Sequence, residues 1–163
     1  MKLQIRYEGD PVLRERAAEA EKITPKIRKL VDDMYETMYA AQGIGLAAPQ
    51  VGVQLRVITV DVQTEGQRAL ALINPEIVAL RGEQEYLEGC LSCPGLNGLV
   101  KRAAWVEVHA LDPRGRTVKM EAEGLPATVI QHEIDHLDGI LFIDRLEPTE
   151  RVKVEQQRSA LRA

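Results

Sequence analysis

Aromatic residues are scarce in this 163-residue chain: one Phe, one Trp and four Tyr make up 4% of it. A core built almost without rings must come from Leu, Ile, Val and Ala, and hydrophobic residues amount to 45%. A chain of this length buries roughly 70% of its unfolded surface, so it needs no staple to fold. Cysteine is rarer still, with two residues. In a reducing compartment such a pair reads as ligand, nucleophile or core thiol rather than disulfide. No apolar run approaches the roughly 18 residues of a membrane span, which excludes a transmembrane helix. Basic charge is not in excess either: 21 Lys+Arg against 25 Asp+Glu leave −4, a poor balance for a general nucleic-acid binder. The opening residues Met1-Lys2-Leu3-Gln4-Ile5-Arg6 reach charge too early for a signal peptide and do not read as a transit peptide. A cytoplasmic location is therefore expected. Repeats, low-complexity tracts and Ser/Gly linkers are also missing, so residues 1–163 read as one domain.

What is present is a change of hydrophobic period. Thr24-Pro25 is an N-cap followed by proline at the first helical position, and Ile27, Leu30, Val31, Met34 and Met38 recur at helical spacing, with Gly43 suited to the stop. That predicts an amphipathic helix over residues 25–41. Val53–Val57 alternates and runs on through Ile58 and Val60. Ala69–Ile73, Ile77–Leu80, Ala104–Leu111 and Thr117–Ala122 are further β-like runs, punctuated by Pro75, Gly82, Pro94-Gly95, Pro113 and Gly115. A second helix fits residues 125–137, buried on both faces, and a polar surface helix fits Pro148 onward. The expected class is α+β, with largely antiparallel sheets around a central helix.

Two of the chain's three histidines lie on that helix, in His132-Glu133-Ile134-Asp135-His136. Residues i and i+4 stand above one another, so both imidazoles can reach one metal, with Glu133 one step round as general base. The string alone does not separate a protease, another hydrolase and a structural site. Phe142 occupies the place of a metzincin's third histidine. Glu155 is spaced as a thermolysin-type third ligand. Cys90-Leu91-Ser92-Cys93 is a CxxC, but far more than a zinc finger's roughly 12–15 residues separate it from His132. Four protein ligands would also leave Glu133 without a purpose, which favours one Cys, two His and an open position. Gly43–Gln50 is a run of small residues that lets a substrate backbone come close.

Gly43–Gln50, Glu88–Ser92 and Gln131–Gly139, in that order, resemble the GxGxAAxQ, EGCxS and QHExDHxxG segments of the peptide deformylases. The resemblance spans Asp10 to Leu146 and suits the shorter bacterial form. It implies removal of formate from N-formyl-methionyl nascent peptides. It implies Cys90, His132 and His136 as ligands of one divalent ion, typically Fe(II), with Zn(II) or Ni(II) in some preparations. Glu133 would carry protons, and the Gln50 amide and Leu91 N–H would face the oxyanion. The Gly45 backbone would pair with substrate. Ile44, Tyr86, Leu125, Thr128 and Val129 would wall a methionine slot, and Arg102 would offer polar contact. Two positions depart from the family pattern: Cys93, where an aliphatic residue is more usual, and Asn97, where many relatives have a substrate-binding Arg. The resemblance also suggests that the helix over residues 148–163, with Arg151, Lys153, Arg158 and Arg162, docks on the ribosome. Its removal is then expected to spare activity on short peptides.

Overall fold

The computed structural model describes residues 1–163. Three helices, α1 (Pro25–Ala40), α2 (Gly124–Leu137) and α3 (Pro148–Arg162), surround two antiparallel sheets. The larger sheet runs β1 (Gly45–Ala47), β2 (Val57–Val60), β3 (Leu70–Arg81), β6 (Trp105–Leu111), β7 (Thr117–Glu123). The smaller is a hairpin of β4 (Gln84–Gly89) and β5 (Asn97–Arg102). The expected α+β class with antiparallel pairing is the one observed.

Helix α1 begins as its cap residues dictate, with the Thr24 hydroxyl accepting from the Ile27 N–H at 3.3 Å. Its left-handed stop falls on Gln42 (φ 59°) rather than on Gly43. Gly43 is small for another reason: a Cβ there would stand 2.8 Å from Leu91. Helix α2 is buried from Ala127 to Leu137 on every side, packed on Ile58, Val106 and Val108 of the sheet. Arg56 closes its far end. The guanidinium donates to the Leu137 carbonyl at 2.9 Å and pairs with Asp138, a cation placed where a helix presents unpaired carbonyls.

Several strand expectations need correction. Residues 53–56 are not part of β2, because Arg56 turns inward to α2 and Leu55 makes only a single bridge to Ala18. Pro75 does not separate two strands. Asn74 adopts φ 53° and its amide holds both backbone groups of Ala20, so β3 bulges there and continues past the end of its pairing with β2 at Ile73. Strand β1 lies inside the Gly43–Gln50 run, and β4 and β5 pair in a stretch that shows no β-like run in the sequence. Gly45 is also small for a reason other than substrate access: its Cβ would lie 2.5 Å from the Glu133 carboxylate and 2.8 Å from Val129.

Helix α3 is not a free basic face. Val154 is buried with Leu96, Val100 and Phe142, and Leu161 covers Gly95. Arg158 forms two bonds to Glu8 at 3.0 and 3.1 Å, Arg151 donates to the carbonyls of Leu146 and Asp144, and Lys153 pairs with Glu150. Removing residues 148–163 takes away the cover of Leu96, Val100 and Phe142 along with the basic side chains.

The end of α2 gives the first prediction. Gly139 has φ 75°, and a Cβ there would lie 2.6 Å from the backbone oxygen of Arg14. Gly139→Ala is expected to lower stability by about 2–4 kcal/mol, combining left-handed strain with a backbone clash. Urea unfolding of the two proteins checks it.

Candidate active site

Strand β4 and helix α2 bring the central residues together. The strand ends at Gly89, and the next residue, Cys90, faces α2 across the cleft. The Cys90 Sγ lies 3.3 Å from His136 Nε2, and donor atoms of Cys90, His132 and His136 all lie within 4.8 Å of one another. Neither Cys93 nor Glu155 is in this cluster. Glu155 is on α3 against Arg158, which removes the thermolysin-type reading. The third histidine, His109, is on β6 beside Glu107 and takes no part.

His132 is held by Glu88, whose Oε1 is 2.8 Å from Nδ1. That bond leaves Nε2 facing the cluster. Glu88 is in turn gripped by Arg102 at 2.6 and 3.0 Å, Arg102 donates to Asp135 at 2.9 Å, and Asp135 receives two bonds from Arg145 at 2.8 and 3.0 Å. Arg102 therefore stands apart from the other expected substrate contacts. It is 8% exposed and tied up behind the histidines, outside the cleft lining. The alternation of β5 explains this: Gly98, Val100 and Arg102 share its buried face. Nothing in the sequence pattern points to this network, although Glu88 lies in the Glu88–Ser92 segment and Asp135 in Gln131–Gly139.

The charges respond to this burial. Desolvation pushes the Glu133 carboxyl up to about 7, against the pull of His132. Burial alone would raise Glu88, but its bonds to His132 and Arg102 outweigh that and hold it below the usual carboxylate range. Burial pushes His136 well down. Burial lowers His132 too, but the carboxylates of Glu133 and Glu88 bring its net shift upward. The Cys93 thiol, with burial, drives the Cys90 thiol up. Glu133 Oε1 and His136 Nδ1 are buried with no hydrogen-bond partner. Glu133 lines the cleft beside the cluster, so its open oxygen marks a place where another ligand belongs, whereas His136 turns Nε2, not Nδ1, toward Cys90. One soft thiolate donor and two imidazoles in reach of one point fit a divalent transition metal.

In front of this cluster opens a cleft of about 470 Å³. Gln50, Leu91, Gly45 and Glu133 line it, as do Ile44, Tyr86, Leu125, Thr128 and Val129. Gln50 is fixed by its Oε1 accepting from Ala47 N–H, and its amide nitrogen points to Ser92 Oγ at 3.0 Å and Cys90 Sγ at 3.5 Å. The Leu91 N–H donates to no other group of the chain. Leu87, Gly95 and Leu96 also line the cleft and had no signal beyond the hairpin that carries them. Asn97 lies outside the lining, bonded to Gln157 of α3.

A buried carboxylate beside a Cys/His/His donor set, at the base of an open cleft in an α+β fold, defines a hydrolase. A polypeptide deformylase family profile matches residues 2–152. A peptide deformylase of Halothermothrix orenii is 55% identical over 144 residues, covering 88% of this chain and 93% of that protein. The crystal structure of a peptide deformylase from Legionella pneumophila superposes with a TM-score of 0.91 at 41% identity, covering 99% and 96% of the two chains. A Met-Ala-Ser-bound peptide deformylase from Acinetobacter baumannii does so at 0.86 and 36%, covering 90% and 99%. The chain belongs to the polypeptide deformylase family.

The buried network gives the second prediction. Arg102→Met leaves Glu88 without its strongest partner in the interior. A stability loss of about 3–5 kcal/mol is expected near neutral pH. Glu88 has a depressed pKa in the folded protein, so its stabilisation is present above the ordinary carboxylate range and is lost as pH falls below that range through the depressed folded value. The difference between the two proteins should narrow on acidification. Denaturant melts across that pH range measure it.

Proposed function

We propose that this enzyme removes the formyl group from N-formyl-methionyl nascent peptides and releases formate, with one divalent ion held by Cys90, His132 and His136. The observation that carries the reading is the convergence of those three donors beneath a cleft lined by Glu133, Gln50 and the free Leu91 N–H. The ion, when bound, supplies Lewis acidity toward water and the formyl oxygen. Fe(II) is the proposed native ion, and the thiolate and imidazole donors also suit Zn(II) or Ni(II).

Glu133 moves the protons. With a pKa near 7 it can take one from the attacking water and give it to the departing amine. The Gln50 amide and the Leu91 N–H are the donors for the negative charge that develops on the formyl oxygen. Gln50 is already locked through Ala47, so little reorganisation is needed. The free edge of β1 at Gly45 aligns the substrate backbone, since β1 pairs on one side only, with β2. Ile44, Tyr86, Leu125, Thr128 and Val129 enclose the methionine side chain. The Acinetobacter baumannii relative bound to Met-Ala-Ser supports a methionyl peptide as the product held here.

Formylated nascent chains emerge from the ribosome, so we place the enzyme's work there, in the cytoplasm. No helix is long and apolar enough to cross a membrane. Helix α3 supports a ribosome contact less than its charge count implies, since of its basic residues only Arg162 lacks a partner within the chain.

The test is formate release from formyl-Met-Ala-Ser, measured with Fe(II) under argon and then with Zn(II). Glu133→Gln is expected to keep its bound ion and lose about 10²–10⁴-fold in turnover. Cys90→Ala is expected to lose the ion itself. A wild-type protein that binds the ion but releases no formate with either metal overturns the reading.

A further inference from the structure

The CxxC segment is only half used by the site above, since Cys90 belongs to the donor cluster and Cys93 does not. Cys93 is 1% exposed, yet it lines the same cleft as Cys90. Its backbone N–H donates to the Cys90 carbonyl at 2.9 Å, which closes a turn. In such a turn the first and fourth Cα atoms are less than about 7 Å apart. Disulfides span roughly 4.4–6.8 Å between Cα atoms, so the turn brings the pair into range. Cys93 packs with Leu13, Leu96 and Phe142.

The geometry points to Cys93 as the resolving thiol of Cys90: a peroxide oxidises Cys90, Cys93 closes an intrachain disulfide, and the ion is released from a site that a dithiol can restore. The Cys90 thiolate attacks one peroxide oxygen. The O–O bond breaks, and the departing hydroxide takes up a proton to become water. The sulfenic acid so formed is then attacked by the Cys93 sulfur. The S–O bond breaks and the hydroxyl leaves as a second water with the Cys93 proton. One peroxide is reduced and two thiols are oxidised to one disulfide. The thiolate is the metal-binding form of cysteine, so the disulfide reduces the donor set to two histidines. Without a resolving thiol the sulfenic acid proceeds to sulfinic and sulfonic acids, which do not return. The bond itself needs only the two thiols; its consequence rests on Cys90 being a ligand, so zinc uptake by the reduced protein is measured first.

The experiment treats the zinc-loaded protein with hydrogen peroxide. Zinc release is followed with an indicator dye, and the protein is digested without reduction for peptide mass mapping. The expected result is zinc release together with a linked Cys90–Cys93 peptide two hydrogens lighter than its dithiol. Dithiothreitol should restore zinc uptake. Cys93→Ala and Cys93→Val should instead lose zinc irreversibly, with Cys90 heavier by two or three oxygens. Wild-type Cys90 carrying those oxygens while Cys93 stays a free thiol overturns the proposal. So does zinc retention with both thiols unmodified, or a disulfide between two chains.

Discussion

The site depends on one buried ion network. Glu88 orients His132, Arg102 neutralises Glu88, and Asp135 and Arg145 extend the grip from the far side. Each charge would be costly alone in the interior, and each is tolerable because its neighbour is present. The network ties three elements, β4, β5 and α2, into one unit, which holds Cys90, the residue after β4, against the donors on α2. A carboxylate bonded to the outer nitrogen of a ligating histidine fixes its tautomer and raises its basicity. Desolvation holds the Glu133 carboxyl up to about 7, against the pull of His132 and Arg102.

Close approach is the second constraint. Gly45 sits against Glu133 and Val129, and Gly43 sits against Leu91, at distances that leave no room for a Cβ. At Gly43 and Gly45 backbone, rather than side chain, forms part of the cleft wall. Small residues here serve the packing of β1 against α2 first, and the access of a substrate strand second.

Much of this was legible in the sequence where local chemistry decides. Thr24-Pro25 starts α1, Gly139 follows α2, and His132 and His136 fall on one face because a helix requires it. The alternation over Thr117–Ala122 survives as β7. Legibility fails where a distant partner decides. β4 reads as polar because Gln84, Glu85 and Glu88 interrupt it, and Glu88 is buried only because Arg102 meets it from the next strand. Arg102 looks like a surface cation until its parity with Val100 on β5 is considered. Pro75 looks like a strand break until Asn74 supplies the bulge. The arginines of α3 look free because Glu8, the partner of Arg158, lies at the other end of the chain.

That last contact has a consequence for how the molecule is made. Glu8 and Arg158 are 150 residues apart in sequence, and α3 seals a cluster that includes Leu13, Leu96 and Phe142. A domain generally folds as a unit, so this one is complete only when α3 is available. The residues of α3 leave the ribosome after everything they cover, so Leu96 and Phe142 stay wet until then. Docking of α3 is then a late step that joins early and late parts of the chain, and it governs how long the young enzyme exposes an adhesive apolar surface.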